Sequence, residues 1–455
     1  MFLPYLFTNA IMLLPKGMIA LQTVISLFEK HFWLRFTLCI LAGVIMLAFV
    51  LISGSSISHA TVELAVIGAI LLIFFTLPII TEKGVPFPYM AVGAVVAAAL
   101  VYLRLCMFFY ASSDYTNFLA VWVEEMRTLS LADAMSKDIG DYNMPYLYIL
   151  FIISRLKLPS LLLIKFVSCV FDGLAAFFVM KIVGHFKDSA AAKITAFLLA
   201  LALPTVWLNS AYWGQCDVVF TSLCIGMAYG VLKGKGNLAA VFWALAFSFK
   251  LQAIFALPFL IIGLFIKRIK AHSLLLVPPV FFATLLPAFV CGRSFTDCVK
   301  IYFLQANQYP KMTLNLPSIW ALVGDVSFDH FGTAAVFLAG AATLVFLFLC
   351  YHYRNSIDDQ KLITLFFLGA LLLPYLLPRM HDRYFFLADV AALLVFLIDL
   401  KKWYLPIITV FSSYVCYHYF VMGGHYLIEL KYLSVALLVL LTVSIRDVFW
   451  QKKAK

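Results

Sequence analysis

Six short polar stretches interrupt an otherwise apolar chain, and each sets acids, amides or cations beside aromatic rings. Ser112-Ser113-Asp114-Tyr115 directly follows an aliphatic and aromatic run. A carboxylate just beyond a membrane helix can stay ionised near lipid headgroups, where a general base for a sugar hydroxyl would be needed. The plainer alternative is a cap for a helix over 115–127, since Ser and Asp cap helices well. Gly140-Asp141-Tyr142-Asn143-Met144-Pro145-Tyr146 opens another apolar segment, with Asp141 either a second acid or a turn and cap. In Asn209-Ser210-Ala211-Tyr212-Trp213-Gly214-Gln215-Cys216-Asp217, the rings are ordinary interface anchors; Gln215 and Asp217 are less expected there. Phe249-Lys250-Leu251-Gln252 separates two short apolar runs. A lysine at that depth needs an anionic partner, and a lipid phosphate would serve, unless the side chain snorkels to the surface. Arg379-Met380-His381-Asp382-Arg383-Tyr384-Phe385 offers two guanidinium groups suited to phosphate, or a hydrated loop with an Arg–Asp pair. Asn307-Gln308-Tyr309-Pro310 and Thr313-Leu314-Asn315-Leu316-Pro317-Ser318-Ile319-Trp320 present amides and ring faces fit for sugars, a composition equally ordinary in loops.

The elements that position these residues are membrane helices. The chain has 455 residues, 64% of them hydrophobic and 12% charged, with a mean hydropathy of +1.02. Soluble domains are about 45–50% apolar and about 25% charged, so lipid must be the solvent. The apolar runs are long and lack a two-residue alternation, which means helices and not a barrel. The fold class is therefore all-α and polytopic, with about fourteen crossings. They are expected near 33–53, 58–80, 87–110, 160–184, 193–208, 217–233, 237–248, 252–267, 273–291, 333–353, 361–378, 384–400, 403–421 and 428–447. The short runs 237–248 and 252–267 read as a broken pair around Lys250. Residues 1–28 show no early positive charge and no small-residue cleavage site, so no removable signal is expected; they form either a first crossing broken at Pro15-Lys16-Gly17 or, as favoured here, a helix lying in the interface.

The net charge of +11 sits in loops and is explained by positive-inside topology, with no nucleic acid implied. Lys187/Lys193, Lys233/Lys235, Lys267/Arg268/Lys270, Arg354/Lys361, Lys401/Lys402 and the Lys452–Lys455 tail face the cytoplasm. The long loops 111–159 and 292–332 then fall on the other side, with the turns 209–217, 250–252 and 379–383. All six polar stretches thus share one extracytoplasmic face. Of nine cysteines, Cys291 and Cys298 flank the second long loop and are compatible with a disulfide or with free thiols. No GK[ST] phosphate loop, HExxH or Gly-x-Ser-x-Gly occurs. No DxD pair argues for a metal, and no cofactor is expected.

At Asp114-Tyr115, Asp141-Tyr142 with Pro145, Trp213-Gly214-Gln215-Cys216-Asp217, Phe249-Lys250-Leu251-Gln252 and His381-Asp382-Arg383-Tyr384-Phe385, the chain resembles the C-type membrane glycosyltransferases. The nearest are bacterial proteins related to the second mannosyltransferase of GPI-anchor assembly, and it is similar to the ER glucosyltransferases that extend the lipid-linked oligosaccharide. The resemblance covers roughly 87–400, leaving 1–86 as an N-terminal interfacial helix and extra membrane helices and 401–455 as C-terminal helices with a basic tail. It implies a first outer loop with short surface helices and a donor sugar carried on a polyprenyl or dolichyl phosphate. It implies a catalytic role for Asp114, with Asp141 as a further acid. Lys250, His381, Arg383 and Arg379 would lie near the carrier phosphate, and Tyr115, Trp213, Gln215, Asp217, Gln252, Tyr309 and Asn315 near the sugars. Pro145 stands alone where the ER enzymes have a double proline, and Asp114 stands alone where relatives carry paired acids. The expected activity is inverting transfer of one sugar to a hydroxyl of a glycan or lipid acceptor, outside a bacterial plasma membrane or in the ER lumen. Two other classes fit the same composition. A transporter or flippase would place ionisable residues at mid-membrane depth, as at Asp172. A glycan polymerase or ligase would take a diphosphate-linked oligosaccharide.

Overall fold

The computed structural model describes residues 59–307, 309–324 and 326–450; the expected crossing at 33–53 and the interfacial segment 1–28 lie outside them. The described chain is an all-α, multi-pass membrane protein. Eight of its helices are long and apolar enough to cross a bilayer, nine if the bent pair Ala190–Ala202 and Pro204–Trp213 forms one crossing. Every one of the thirteen crossings expected from residue 58 onward meets a helix, but among the described residues only eight or nine are long enough to cross on their own. The helices Asp217–Leu232, Gly236–Phe249 and Phe386–Ile398 have 16, 14 and 13 residues. At 1.5 Å per residue they reach about 20–24 Å, short of the roughly 30 Å hydrocarbon core.

Local chemistry explains the interruptions. Leu203 is extended (φ −58°, ψ 123°) because the residue before a proline is pushed out of the helical region, and Pro204 starts the next turn. The two halves meet at 48°. Lys250 is extended at φ −155°, ψ 132° between the helix Gly236–Phe249 and a 3₁₀ turn Leu251–Ala256. The Tyr302 hydroxyl donates to the carbonyls of Phe247 and Ser248 at 3.2 Å and so satisfies the helix end that the break exposes.

The long segment 111–159 folds into helical pieces: a π-turn Tyr115–Leu119, then Ala120–Arg127, Leu131–Ser136 and Met144–Arg155. Val123, Met126, Met135, Leu147 and Leu150 bury their side chains with Leu163, Val219, Leu285 and Cys298 in a core of their own. Arg293, 7% exposed, reaches across from the second long loop to the Met135 and Lys137 carbonyls and to Asp138. Gly140 is required where it stands: its φ is +75°, and a Cβ there would lie 2.9 Å from the Trp122 ring. Cys291 and Cys298 are free thiols.

One helix joins the two ends of the molecule. Ser160–Phe186 has 27 residues, about 40 Å of rise. At its start the Ser160 hydroxyl bonds the Tyr115 hydroxyl at 2.9 Å. At its end His185 meets Asp359 at 2.6 Å and Lys233 at 2.9 Å, and Arg268 pairs with the same Asp359. The basic loops therefore gather at the end remote from Asp114. Midway, Asp172 is fully buried against Arg104 at 3.0 Å, with the Ser210 hydroxyl at 2.7 Å. Arg104 also donates to the carbonyls of Leu100 and Leu201. Asp172, the mid-span acid that left a transporter open, is a paired structural group here. Removing one partner from such a pair leaves an uncompensated buried charge, at about 3–5 kcal/mol. Arg104→Met is expected to lower the thermal unfolding midpoint of the detergent-solubilised protein strongly, and Arg104→Met with Asp172→Leu to recover much of it. A double variant no better than the single would contradict this pairing.

Candidate functional site

Seven separate segments converge on a single cavity of about 180 Å³, lined by Asp114, Asp141, Tyr142, Gln215, Lys250, Gln252, Gln305, Tyr309, His381, Asp382 and Arg383, with Phe118, Trp122, Tyr384 and Phe420 among its rings. Its organising acid is Asp217, 1% exposed at the start of its helix. Lys250 pairs with one carboxylate oxygen, and Arg383 Nε approaches the other at 3.2 Å. Asn209 Nδ2 donates to that second oxygen at 3.0 Å and lies 3.3 Å from the Tyr417 hydroxyl. Lys250 thus has an anionic partner within the chain, where the sequence pointed to a lipid phosphate.

Asp114 does not cap the helix that follows it. Its Oδ2 accepts from Trp213 Nε1 at 3.0 Å and from Gln215 Nε2 at 2.5 Å, with Arg383 Nη1 at 3.9 Å. Its Oδ1 takes no partner among the described residues. The carboxylate is held by one oxygen and left open at the other. Its holders are themselves fixed. Trp213 packs face to face with Phe420 at 4.9 Å and edge-on to Tyr417 at 5.2 Å. The Ser112 hydroxyl donates to the Trp213 carbonyl at 2.8 Å, and the Ser168 hydroxyl to the Gln215 carbonyl at 2.8 Å. Gly214 turns the chain between them at φ +80°, a left-handed conformation that glycine adopts without strain. Buried Lys165 donates to the Met107 and Tyr110 carbonyls at 2.8 and 2.6 Å, bracing the turn just before Asp114.

A two-residue parallel ladder, Thr313–Leu314 beside Met380–His381, brings the second long loop to the cavity edge, where Tyr309 contributes to the wall. Arg379 and Asn315 belong to this ladder region but do not line the cavity. The Arg379 guanidinium lies over the Phe328 ring at 3.9 Å, and Asn315 Oδ1 accepts from the Tyr426 hydroxyl at 2.7 Å. Tyr115 is likewise outside, bonded to Ser160. Trp213 and Asp217 stand behind the wall as supports. Asp141 lines the cavity, and its carbonyl accepts from Gln305 Nε2 at 2.5 Å.

The sequence reading did not single out Asn209, Gln305, Asp382, Tyr417 or Phe420 as site residues. Asn209 and Asp382 lay inside quoted motifs. Tyr417 and Phe420 lie in the helix Tyr404–Met422, beyond the boundary drawn at 400, where no local pattern distinguishes them from other membrane aromatics.

Burial pushes the His381 imidazole down to about 3, with Arg383 and Lys250 adding to the effect. His381 is therefore neutral at pH 7 and supplies hydrogen bonds, not charge. Burial raises Asp382 to about 7, opposed by Arg383 and reinforced by Asp114 and Asp217. For Arg383 burial disfavours the charge, but Asp217, Asp382 and Asp114 outweigh it and hold the guanidinium firmly protonated. Among the described residues no group of three or more His, Cys, Asp or Glu is arranged to hold a metal ion.

No protein family matches the chain, and no curated protein matches it.

The two shifts in the His381–Asp382 pair have opposite consequences for stability. Asp382 favours the fold most below its ordinary value of 3.8 and loses that contribution as pH rises through about 7. His381 favours the fold above its ordinary value of 6.5 and loses that contribution as pH falls towards about 3. Between these values the two offset. In thermal unfolding across pH 4–8, Asp382→Asn is expected to be less stable as pH falls below neutral, and His381→Gln less stable as pH rises towards neutral. Profiles of both variants parallel to the unmodified protein would contradict these environments.

Proposed function

We propose that the protein is an inverting glycosyltransferase that moves one sugar from a polyprenyl-phosphate carrier to a hydroxyl of a glycan or lipid acceptor. The cavity would open on the outer face of a bacterial plasma membrane, or on the lumenal face if the chain works in the ER. The observation that carries the reading is the half-open carboxylate of Asp114 in one cavity with Arg383 and Lys250.

The roles follow from that arrangement. Asp114 Oδ2 is held by Trp213 and Gln215, so Oδ1 is the oxygen that accepts the proton of the acceptor hydroxyl. The acceptor oxygen bonds to the anomeric carbon as the bond from that carbon to the phosphate oxygen breaks. The electron pair leaves on the lipid phosphate, and the configuration inverts. Arg383 has five N–H donors, and its ion pairs use Nε and Nη1, leaving Nη2 for the phosphate. The Lys250 ammonium has three donors and gives one to Asp217. Donors fixed in advance at the point where charge grows stabilise the transition state without reorganising. Neutral His381, Gln252 and Tyr309 supply hydrogen bonds and a ring face for the sugar, and Asp141 an acceptor for a second hydroxyl.

The cavity, about 180 Å³, has room for one sugar ring, since about 150 Å³ holds a benzene-sized ring.

Asp114→Asn keeps a side-chain oxygen but removes the base. It is expected to lower transfer by about 10²–10⁴-fold, the range for a lost general base, with extraction yield and unfolding midpoint unchanged. The measurement is turnover of a radiolabelled polyprenyl-phosphate hexose, with a diphosphate-linked oligosaccharide as the comparison donor. Near-normal turnover by Asp114→Asn, or use of the diphosphate donor alone, would refute the assignment.

A further inference from the structure

Arg383 faces more acids than it can neutralise. Its Nε lies 3.2 Å from Asp217, and its Nη1 lies 3.9 Å from Asp114 and 3.8 Å from Asp382. Lys250, the other cation of the cavity, is paired with Asp217, and His381 is neutral. Two positive charges therefore meet three carboxylates, and Asp141 lines the same cavity. A phosphodiester beside Arg383 adds one more negative charge. Like charges crowded into one site cannot all persist, and the acid with the poorest compensation takes a proton.

The three carboxylates are not equally compensated. Asp217 has Lys250, Arg383 and Asn209. Asp114 accepts from Trp213 and Gln215. Asp382 is 3% exposed, and its Oδ1 is buried without a hydrogen-bond partner among the described residues. The titratable and charged groups that face it are Arg383 and Tyr384 on its own loop, Asp114 and Asp217 at the cavity, Cys416 and Tyr417 on the helix Tyr404–Met422, and Tyr426 after that helix. Only Arg383 among them is a cation, and Arg383 is the group that the phosphate engages in the reading above, on which this inference rests. We propose that Asp382 holds a proton whenever the cavity holds the lipid-borne phosphate, so that donor binding takes up one proton from solution. A neutral Asp382 leaves Arg383 to Asp217, Asp114 and the phosphate. It also keeps the proton off Asp114, which must stay ionised to act as the base. Burial already brings Asp382 to about 7, and a neighbouring anion acts in the same direction.

The test is titration calorimetry of the full chain in detergent with a short-chain polyprenyl-phosphate hexose and no acceptor, in buffers of different ionisation enthalpy. The phosphodiester keeps one negative charge throughout, so any proton taken up goes to the protein. Above neutral pH, affinity is expected to fall by up to about tenfold per pH unit, with proton uptake approaching one, because proton and phosphate each favour the binding of the other. Asp382→Asn should bind with little dependence on pH and no uptake, while Asp114→Asn and His381→Gln should keep the uptake. No proton uptake by the unmodified protein would overturn the inference, even if Asp382→Asn fails to fold, and would leave the phosphate reading standing. Uptake that survives in Asp382→Asn, or is lost in Asp114→Asn or His381→Gln, would assign the proton to another group and overturn it too. No binding at any pH would overturn the phosphate reading itself, and this inference with it.

Discussion

Asp217 is the constraint on which the cavity depends. A carboxylate buried this deeply is tolerable only with strong partners, and a buried lysine or arginine is equally costly alone. Asp217 resolves both problems together by meeting Lys250, Arg383 and Asn209. These partners come from the broken helix, from the loop after the helix Asp359–Leu376 and from the π-turn before Gly214. One acid therefore fixes the relative placement of three membrane segments. Without it, two cations would be stranded and the segments would have no polar reason to meet. The same cluster keeps Arg383 oriented towards Asp114, so the distance between that carboxylate and the guanidinium is set from behind the cavity wall.

Asp114 shows how this rigidity becomes chemistry. A carboxylate whose oxygens were both bonded would be a structural anchor, and one with neither bonded would be mobile. Here Trp213 and Gln215 hold one oxygen, and each holder is fixed by a second contact: Trp213 by Phe420 and Tyr417, Gln215 by Tyr142 at 3.4 Å. The long helix Ser160–Phe186 separates this arrangement from the basic loops by about 40 Å, so the cavity and the charge of those loops lie at opposite ends of one helix.

Much of this was legible in the chain because the signals are local. The apolar runs and the break at Lys250 follow from short-range pattern, and charge bias grouped the polar turns that meet at the cavity; the bend at Pro204 was not anticipated, since the expected crossing 193–208 runs straight through it. What local pattern does not encode is partner choice across the chain. Lys250 and Asp217 are 33 residues apart, and Asp114 and Gln215 are 101; spacing gave no reason to join them. Arg379 and Asn315 have the right chemistry, but both adopt positive φ values, 62° and 64°, and their side chains meet Phe328 and Tyr426 instead. Tyr417 and Phe420 were invisible among other membrane aromatics. Asp389 lies inside the expected crossing 384–400, where its acid was not singled out, and Asp172 stood out until Arg104 was seen beside it.

The central claim is that one cavity holds a lipid-borne phosphate against Arg383 with the sugar reaching Asp114. The most direct measurement is a cryo-electron microscopy map of the protein with a non-transferable polyprenyl-phosphate hexose analogue. The account predicts a phosphate within about 3 Å of the Arg383 guanidinium and the sugar ring between it and Asp114 Oδ1. Phosphate density at the basic loops beside His185 and Lys233, with an empty cavity, would contradict it.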